Sequence, residues 1–119
     1  MLRLSKTDSV LLPVTLRIPT DKPGAFNEGS IDVLVKVLSK ERLKEMSEQE
    51  VSDADHIKEF VKSVTGLGDA DGNPITGEEA LNEVLNGTWS NFLQTAILQA
   101  YFGQFGEARV KNSKTSRGR

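Results

Sequence analysis

The carboxylates and the single histidine are the residues of this sequence that could perform acid–base chemistry. His56 lies among Asp53, Asp55 and Glu59, but the spacing places no serine or cysteine nucleophile beside it. The other acidic residues between positions 41 and 55 interleave with Lys and Arg at helical spacing, which is typical of a solvated helix face. The pattern therefore favours a surface histidine on a charged helix over an acid–base centre.

A second candidate is the acidic run that begins at Asp69, where oxygen-bearing side chains recur at alternate positions, as in a calcium loop. The EF-hand pattern then requires glycine at its sixth position and glutamate at its twelfth. Those positions hold Pro74 and Ala80, so we predict a turn instead.

The sequence lacks the residues that cysteine-based sites and phosphate-binding loops require. The chain has no Cys, which excludes disulfides, thiolate metal sites and cysteine nucleophiles. Gly66 and Gly68 are not followed by the third glycine of a phosphate loop. We expect no catalytic residues, no cofactor and no metal.

Length and charge predict the domain organisation. For 119 residues we expect a flexible N-terminus over residues 1–9, a single domain over residues 10–108 and a disordered basic tail over residues 109–119. That tail carries five cations and no acid, which leaves a balance of −7 on the rest, because ten Lys and Arg face seventeen acids. An acidic body does not indicate a nucleic-acid-binding domain, because such a domain presents a basic face. No apolar run approaches the ~20 residues that span a bilayer, and no secretory leader is indicated.

Two stretches of alternating hydrophobicity predict an N-terminal hairpin. Apolar residues occupy every second position in residues 10–18, and Pro13 within that run indicates an edge strand. A second alternating run covers residues 31–37. Two successive strands most simply pair antiparallel, and an isolated hairpin must pack on helices to be stable.

Capping signals predict the helix starts. Ser39 is expected to cap a first helix, the sequence from Ser47 to Glu50 to start a second, and Thr76 with Glu79 to start a third. We expect the second helix to run to about Lys62, with a short strand within residues 60–67 as the alternative. Residues 66–77 are expected to be a loop, and Gly87 to end the third helix as its C′ residue.

The most distinctive stretch is an uncharged amphipathic helix expected over residues 88–105. One face carries seven apolar residues at helical spacing: Trp89, Phe92, Leu93, Ala96, Ile97, Ala100 and Tyr101. Leu98, Phe102 and Phe105 form a second apolar stripe on roughly the opposite side. Either both apolar faces of this helix lie in the core, or one face lies in the core and the other forms an interface. The candidate residues for binding a partner or a second copy are Trp89, Leu98, Tyr101, Phe102 and Phe105. The expected fold is α+β and mostly α, with an N-terminal antiparallel β-hairpin packed on about four helices.

The order of these features resembles the tail assembly chaperones of long-tailed, non-contractile phages and prophages. The resemblance covers most of the chain between residues 10 and 112, and it is carried by five segments: residues 35–43, 66–75, 76–81, 100–102 and 109–112. These motifs are structural rather than chemical, so their order and spacing carry the match.

The resemblance implies a function without catalysis. Such proteins bind the tape measure protein, recruit the tail tube protein and are absent from the finished virion, so the expected location is the bacterial cytoplasm. The family also implies self-association, no membrane partner and a longer product made by a −1 ribosomal frameshift. Lys111-Asn112 can be encoded by a slippery sequence.

Two other functions stay open at the sequence level. The basic tail is compatible with a nucleic-acid-binding regulator, whose affinity would fall steeply with salt. A structural tail or head–tail connector subunit is the other alternative, and it would remain in the virion.

Overall fold

A three-stranded antiparallel sheet and four helices form the two layers of the fold. The computed structural model describes residues 1–4, 6–49 and 52–105. In chain order its elements are β1 (Ser9–Pro19), β2 (Phe26–Lys36), α1 (Lys40–Glu48), α2 (Asp53–Phe60), β3 (Val61–Thr65), β4 (Leu67–Gly68), β5 (Pro74–Ile75), α3 (Gly77–Asn86) and α4 (Ser90–Phe105). The α+β class, the N-terminal hairpin and the helices are confirmed. The predicted basic tail and residues 106–108 lie outside the described residues.

The sheet has the order β1-β2-β3, and the predicted edge position of β1 is confirmed. Pro13 stands opposite Asp32. A proline has no backbone N–H to donate, and an edge strand tolerates it because the side that lacks the N–H can face solvent instead of a neighbouring strand. Leu12 and Val14 on β1 are buried, as are alternate residues of β2. One face of the sheet therefore lies in the core beneath the helices, while the intervening β1 side chains are exposed.

The predicted extension of the second helix to Lys62 is wrong, and the alternative strand is correct. Helix α2 ends at Phe60, and β3 follows directly from Val61. Val64 pairs with Val33 of β2 and is buried. Branched side chains fit a pleated sheet, so pairing with β2 outweighs the helical spacing of the apolar residues here.

The start of α2 also differs from the prediction. Ser47 lies within α1, where its hydroxyl donates to the Lys44 carbonyl at 2.8 Å, so it caps nothing. Ser52 is the N-cap instead and accepts a hydrogen bond from the Asp55 backbone N–H at 3.2 Å. Of the other three residues of the predicted start, Glu48 is the last residue of α1, Gln49 is its C-cap and Glu50 lies outside the described residues. The Ser39 cap of α1 is confirmed, since its hydroxyl accepts from the Arg42 N–H at 3.1 Å.

The predicted loop over residues 66–77 contains a short ribbon of β4 and β5 around a tight turn. The Asp69 carboxylate accepts from the N–H groups of Asp71 and Asn73, both at 2.9 Å. The carboxylate therefore holds the turn together, and the predicted turn is confirmed.

The corner between α3 and α4 differs in detail from the prediction. Thr76 is the N-cap of α3, but its side chain makes no capping hydrogen bond. Gly87 is the C-cap with φ −75° and ψ 171°, so it is extended rather than left-handed. A Cβ at this position would lie 2.7 Å from the Glu83 carbonyl oxygen, so glycine is required by the close approach of the backbone.

Candidate partner-binding surface on helix α4

Helix α4 is central to the fold and packs on β1, α2 and α3. Leu93, Ile97 and Tyr101 are buried, which confirms that this face of the helix lies in the core. The side-chain amide of Gln94 donates to the carbonyls of Val84 at 2.9 Å and Leu85 at 3.3 Å. These carbonyls belong to the last turn of α3, where helical partners are lacking. The amide therefore fixes the angle between the two helices.

Tyr101 fastens the other end of α4 to the sheet. Its ring stacks on Phe60 with 3.7 Å between centroids, and its hydroxyl donates to the Lys36 carbonyl at 2.7 Å. The hydroxyl also accepts from the Leu38 N–H at 3.1 Å. Burial raises the pKa of the Tyr101 hydroxyl. Tyr101 was a candidate contact residue, but the structure places it in the core with 0% of its surface exposed.

The second apolar stripe is neither sealed inside the protomer nor fully bare. Leu98, Phe102 and Phe105 are partly buried and pack against the core cluster. The Phe102 ring meets Tyr101 edge-on at 5.7 Å, and the Phe105 ring lies 4.8 Å from Tyr101. Each stripe residue therefore divides its surface between the core and the outside.

The most exposed aromatic surface of α4 lies at its beginning. Trp89 and Phe92 are each 40% exposed, with ring centroids 5.8 Å apart. We call them the aromatic pair. Both belong to the face that the spacing assigned to the core, and Phe92 was not among the candidate contact residues. The first turn of a helix often extends past the elements that cover its middle. The position of Trp89 and Phe92 at the start of α4 was therefore the sequence signal for their exposure.

A cleft flanks the aromatic pair on each side. The first has a volume of about 430 Å³ between the edge strand β1 and α4. It is lined by Thr15, Leu16, Arg17, Asn91, Phe92, Thr95, Ala96 and Gln99. Arg17 is itself held by Glu28 at 3.5 Å and lies 4.3 Å from the Phe26 ring. The walls of this first cleft are otherwise uncharged.

The second cleft, which we call the Trp89 cleft, has a volume of about 620 Å³. It lies where the end of β1, the β4–β5 ribbon and the α3–α4 corner meet. Its lining is Ile18, Pro19, Thr20, Asp21, Asn27, Gly68, Asp69, Ala70, Ile75, Glu83, Thr88 and Trp89. Apolar walls thus carry three carboxylates and no cation.

Of the three acidic residues near His56, Glu59 takes part in a structural ion pair, with Arg42. The Arg42 guanidinium makes two hydrogen bonds of 2.5 Å to the Glu59 carboxylate and one of 3.1 Å to Glu45. The hydrogen bonds that Arg42 donates lower the pKa of Glu59, and acceptance of these bonds by the Glu59 and Glu45 carboxylates raises the pKa of Arg42. This network joins α1 to α2.

Neither a metal-binding cluster nor a membrane-spanning helix is found within residues 1–4, 6–49 and 52–105. Over those residues, no three His, Cys, Asp or Glu side chains are grouped to hold a metal ion. None of the helices described combines the length and hydropathy required to cross a bilayer.

Comparisons with known protein families, with curated proteins and with solved structures find no match to this chain. The resemblance to tail assembly chaperones therefore stays a prediction from the sequence.

Proposed function

We propose that this chain is a tail assembly chaperone, a binding protein without catalytic activity. It binds the tape measure protein, a long helical client, and recruits the tail tube protein while the tail is built. The order and spacing of the sequence motifs support this proposal. The observation that carries it furthest is the aromatic pair, which leaves two large rings exposed on an uncharged helix between two clefts.

The aromatic pair suits a helical client for a physical reason. Amphipathic helices bind by laying apolar side chains into grooves between elements, and aromatic residues dominate the energy of such interfaces. The side chain of Phe92 lines one cleft and that of Trp89 lines the other. Several copies of the chaperone along one client would add avidity, and self-association is part of the proposal.

Co-expression with the tape measure protein of the same genome tests the proposal. We expect the wild-type chain to raise the soluble fraction of the tape measure protein, and Trp89→Ala/Phe92→Ala to remove that effect. Leu11→Ala is the control, because Leu11 is 58% exposed on the opposite face of the sheet. A client that stays insoluble beside the wild-type chain would argue against the chaperone.

The location of the protein distinguishes a chaperone from a structural subunit of the virion. A chaperone acts in the cytoplasm of the bacterial host and is missing from purified virions, whereas a tail or connector subunit is retained. Mass spectrometry of purified particles distinguishes the two, since recovery of the chain in stoichiometric amounts would favour the subunit.

A further inference from the structure

Charge is strongly segregated along the C-terminal half of the sequence. Residues 63–108 contain six carboxylates and no Lys, Arg or His, whereas residues 109–119 contain five cations and no acid. Within the described structure, two of those carboxylates, Asp69 and Glu83, face the Trp89 cleft together with Asp21. Three carboxylates therefore meet at one concave surface, although the other four acids of residues 63–108 lie elsewhere in the sequence.

The carboxylates of the Trp89 cleft have no cationic partner within the described residues. The four salt bridges found there join Arg17 to Glu28, Arg42 to Glu45 and Glu59, and Lys62 to Asp8. The Trp89 cleft thus combines an apolar lining with negative charge, which complements a segment that carries positive charges.

We propose that the basic end of the same chain, residues 114–119, docks in the Trp89 cleft. Lys114, Arg117 and Arg119 would pair with Asp21, Asp69 and Glu83, and the aliphatic stems of these basic side chains would cover Trp89. The Asp69 carboxylate would keep its two turn hydrogen bonds and use its remaining acceptor sites.

The length of the C-terminal segment decides which of its cations reach the cleft. Trp89 lies sixteen residues before Phe105 at the other end of α4, a distance of about 24 Å at ~1.5 Å per helical residue. An extended chain covers ~3.3 Å per residue, so Lys114 reaches about 30 Å from Phe105 and Arg117 about 40 Å. Arg109 reaches only about 13 Å from Phe105, and the length of its side chain does not cover the remaining distance to Trp89. The last three cations can dock, and the first cannot.

This docking does not depend on the chaperone function. It has one consequence for that function, because a partner that binds through Trp89 must first displace the basic segment.

Trp89 is the only tryptophan, so its fluorescence reports directly on the cleft. The test compares quenching by neutral acrylamide in the full-length wild-type chain, Arg117→Glu and Arg109→Glu. The two variants have the same net charge and differ only in reach. A short tether gives the basic segment an effective concentration in the millimolar range, so even a weak contact keeps the cleft about half occupied. Loss of this contact should raise the quenching constant by about twofold. We expect that rise for Arg117→Glu and not for Arg109→Glu.

The cleft side offers a second matched pair. Glu83→Gln should raise the quenching constant as Arg117→Glu does, whereas Glu78→Gln, on an exposed residue of α3 outside the cleft, should leave it unchanged. Sodium chloride at high concentration should raise quenching of the wild-type chain to the level of Arg117→Glu, since salt screens exposed charge pairs.

Two results would overturn the proposal. Equal quenching of the wild-type chain, Arg117→Glu and Glu83→Gln at low salt would mean that the basic segment does not cover Trp89. Protection that disappears on dilution would mean that the segment in the cleft comes from a second copy instead of the same chain. Loss of client binding without either result leaves the docking intact and contradicts only the chaperone function.

Discussion

At the scale of single residues, Tyr101 joins the sheet to helix α4. Its ring fills the space against Phe60, and its hydroxyl satisfies one carbonyl and one N–H where β2 ends. Tyr101→Phe keeps the ring but leaves the Lys36 carbonyl and the Leu38 N–H without this partner. We expect the free energy of unfolding to fall by about 1–3 kcal/mol, measured by urea denaturation.

A matched control for Tyr101→Phe is Ser30→Ala on the exposed face of the sheet. The Ser30 hydroxyl is hydrogen-bonded to that of Thr15 at 3.1 Å, but both groups are exposed. Loss of an exposed hydrogen bond should change the free energy of unfolding by less than about 0.5 kcal/mol. A Tyr101→Phe effect no larger than that of Ser30→Ala would mean that water replaces the hydroxyl.

The pairing of Glu59 with Arg42 predicts how stability depends on pH. Since folding lowers the pKa of Glu59 below its ordinary value of 4.5, the ionised carboxylate favours the folded state. This contribution is complete above pH 4.5 and is lost as the pH falls through the lower, folded-state pKa. Glu59→Gln should therefore be less stable than wild type at pH 7, and the difference should shrink below pH 4.5 in urea titrations. The exposed Glu48→Gln serves as the control, and a difference for Glu59→Gln that persisted unchanged at pH 3 would contradict the assignment.

At the scale of elements, periodicity predicted β1, β2 and α4 because each element is long and buries only certain faces. The boundary between α2 and β3 was harder to predict. Helical spacing continues across this boundary, through Ile57, Phe60, Val61 and Val64. Only the pairing of residues 61–65 with β2 favours a strand over a longer helix. Two serines, Ser47 and Ser52, each precede an acidic residue by three positions, so the local signal for the start of α2 was ambiguous.

Interactions distant in sequence set what the local patterns missed. Gly87 is extended, whereas a local rule assigns a left-handed glycine to that position. Trp89 was a predicted contact residue and is exposed, but Phe92 is equally exposed although its spacing assigned it to the core face. Exposure of Phe92 depends on its packing beside β1, which is distant in sequence and lines the same cleft, so local spacing could not predict it.

Gly87 yields a prediction about the last turn of α3. Gly87→Ala puts a methyl group against the Glu83 backbone oxygen one turn earlier, so the end of the helix must distort. We expect a loss of about 1–3 kcal/mol in the free energy of unfolding, as for other overpacked sites. Gly29→Ala is the matched substitution, because nothing lies within 4 Å of the Cβ that it adds. It should be neutral or stabilise the protein by up to about 1 kcal/mol, and equal effects of the two changes would contradict the steric argument.

At the scale of the whole molecule, apolar surface is left on two sides. The aromatic pair lies between the two clefts, and Leu11 stands opposite the half-buried Leu34 on the exposed face of the sheet. Exposed aromatic rings that line clefts are more typical of a binding surface than isolated aliphatic residues are. The α4 side is therefore the expected contact between copies of the chain.

Light scattering of charged variants tests which side associates. Phe92→Glu places a carboxylate in the aromatic pair, and because Phe92 is 40% exposed the protomer should stay folded. The proposed self-association predicts a wild-type mass above that of the 13.1 kDa protomer, and Phe92→Glu should lower it towards the protomer mass with an unchanged far-ultraviolet circular dichroism spectrum. Leu11→Glu adds the same charge to the sheet face and should leave the oligomer intact. If Leu11→Glu dissociates the oligomer and Phe92→Glu does not, the copies meet through the sheet, and the aromatic pair is free to bind a different partner.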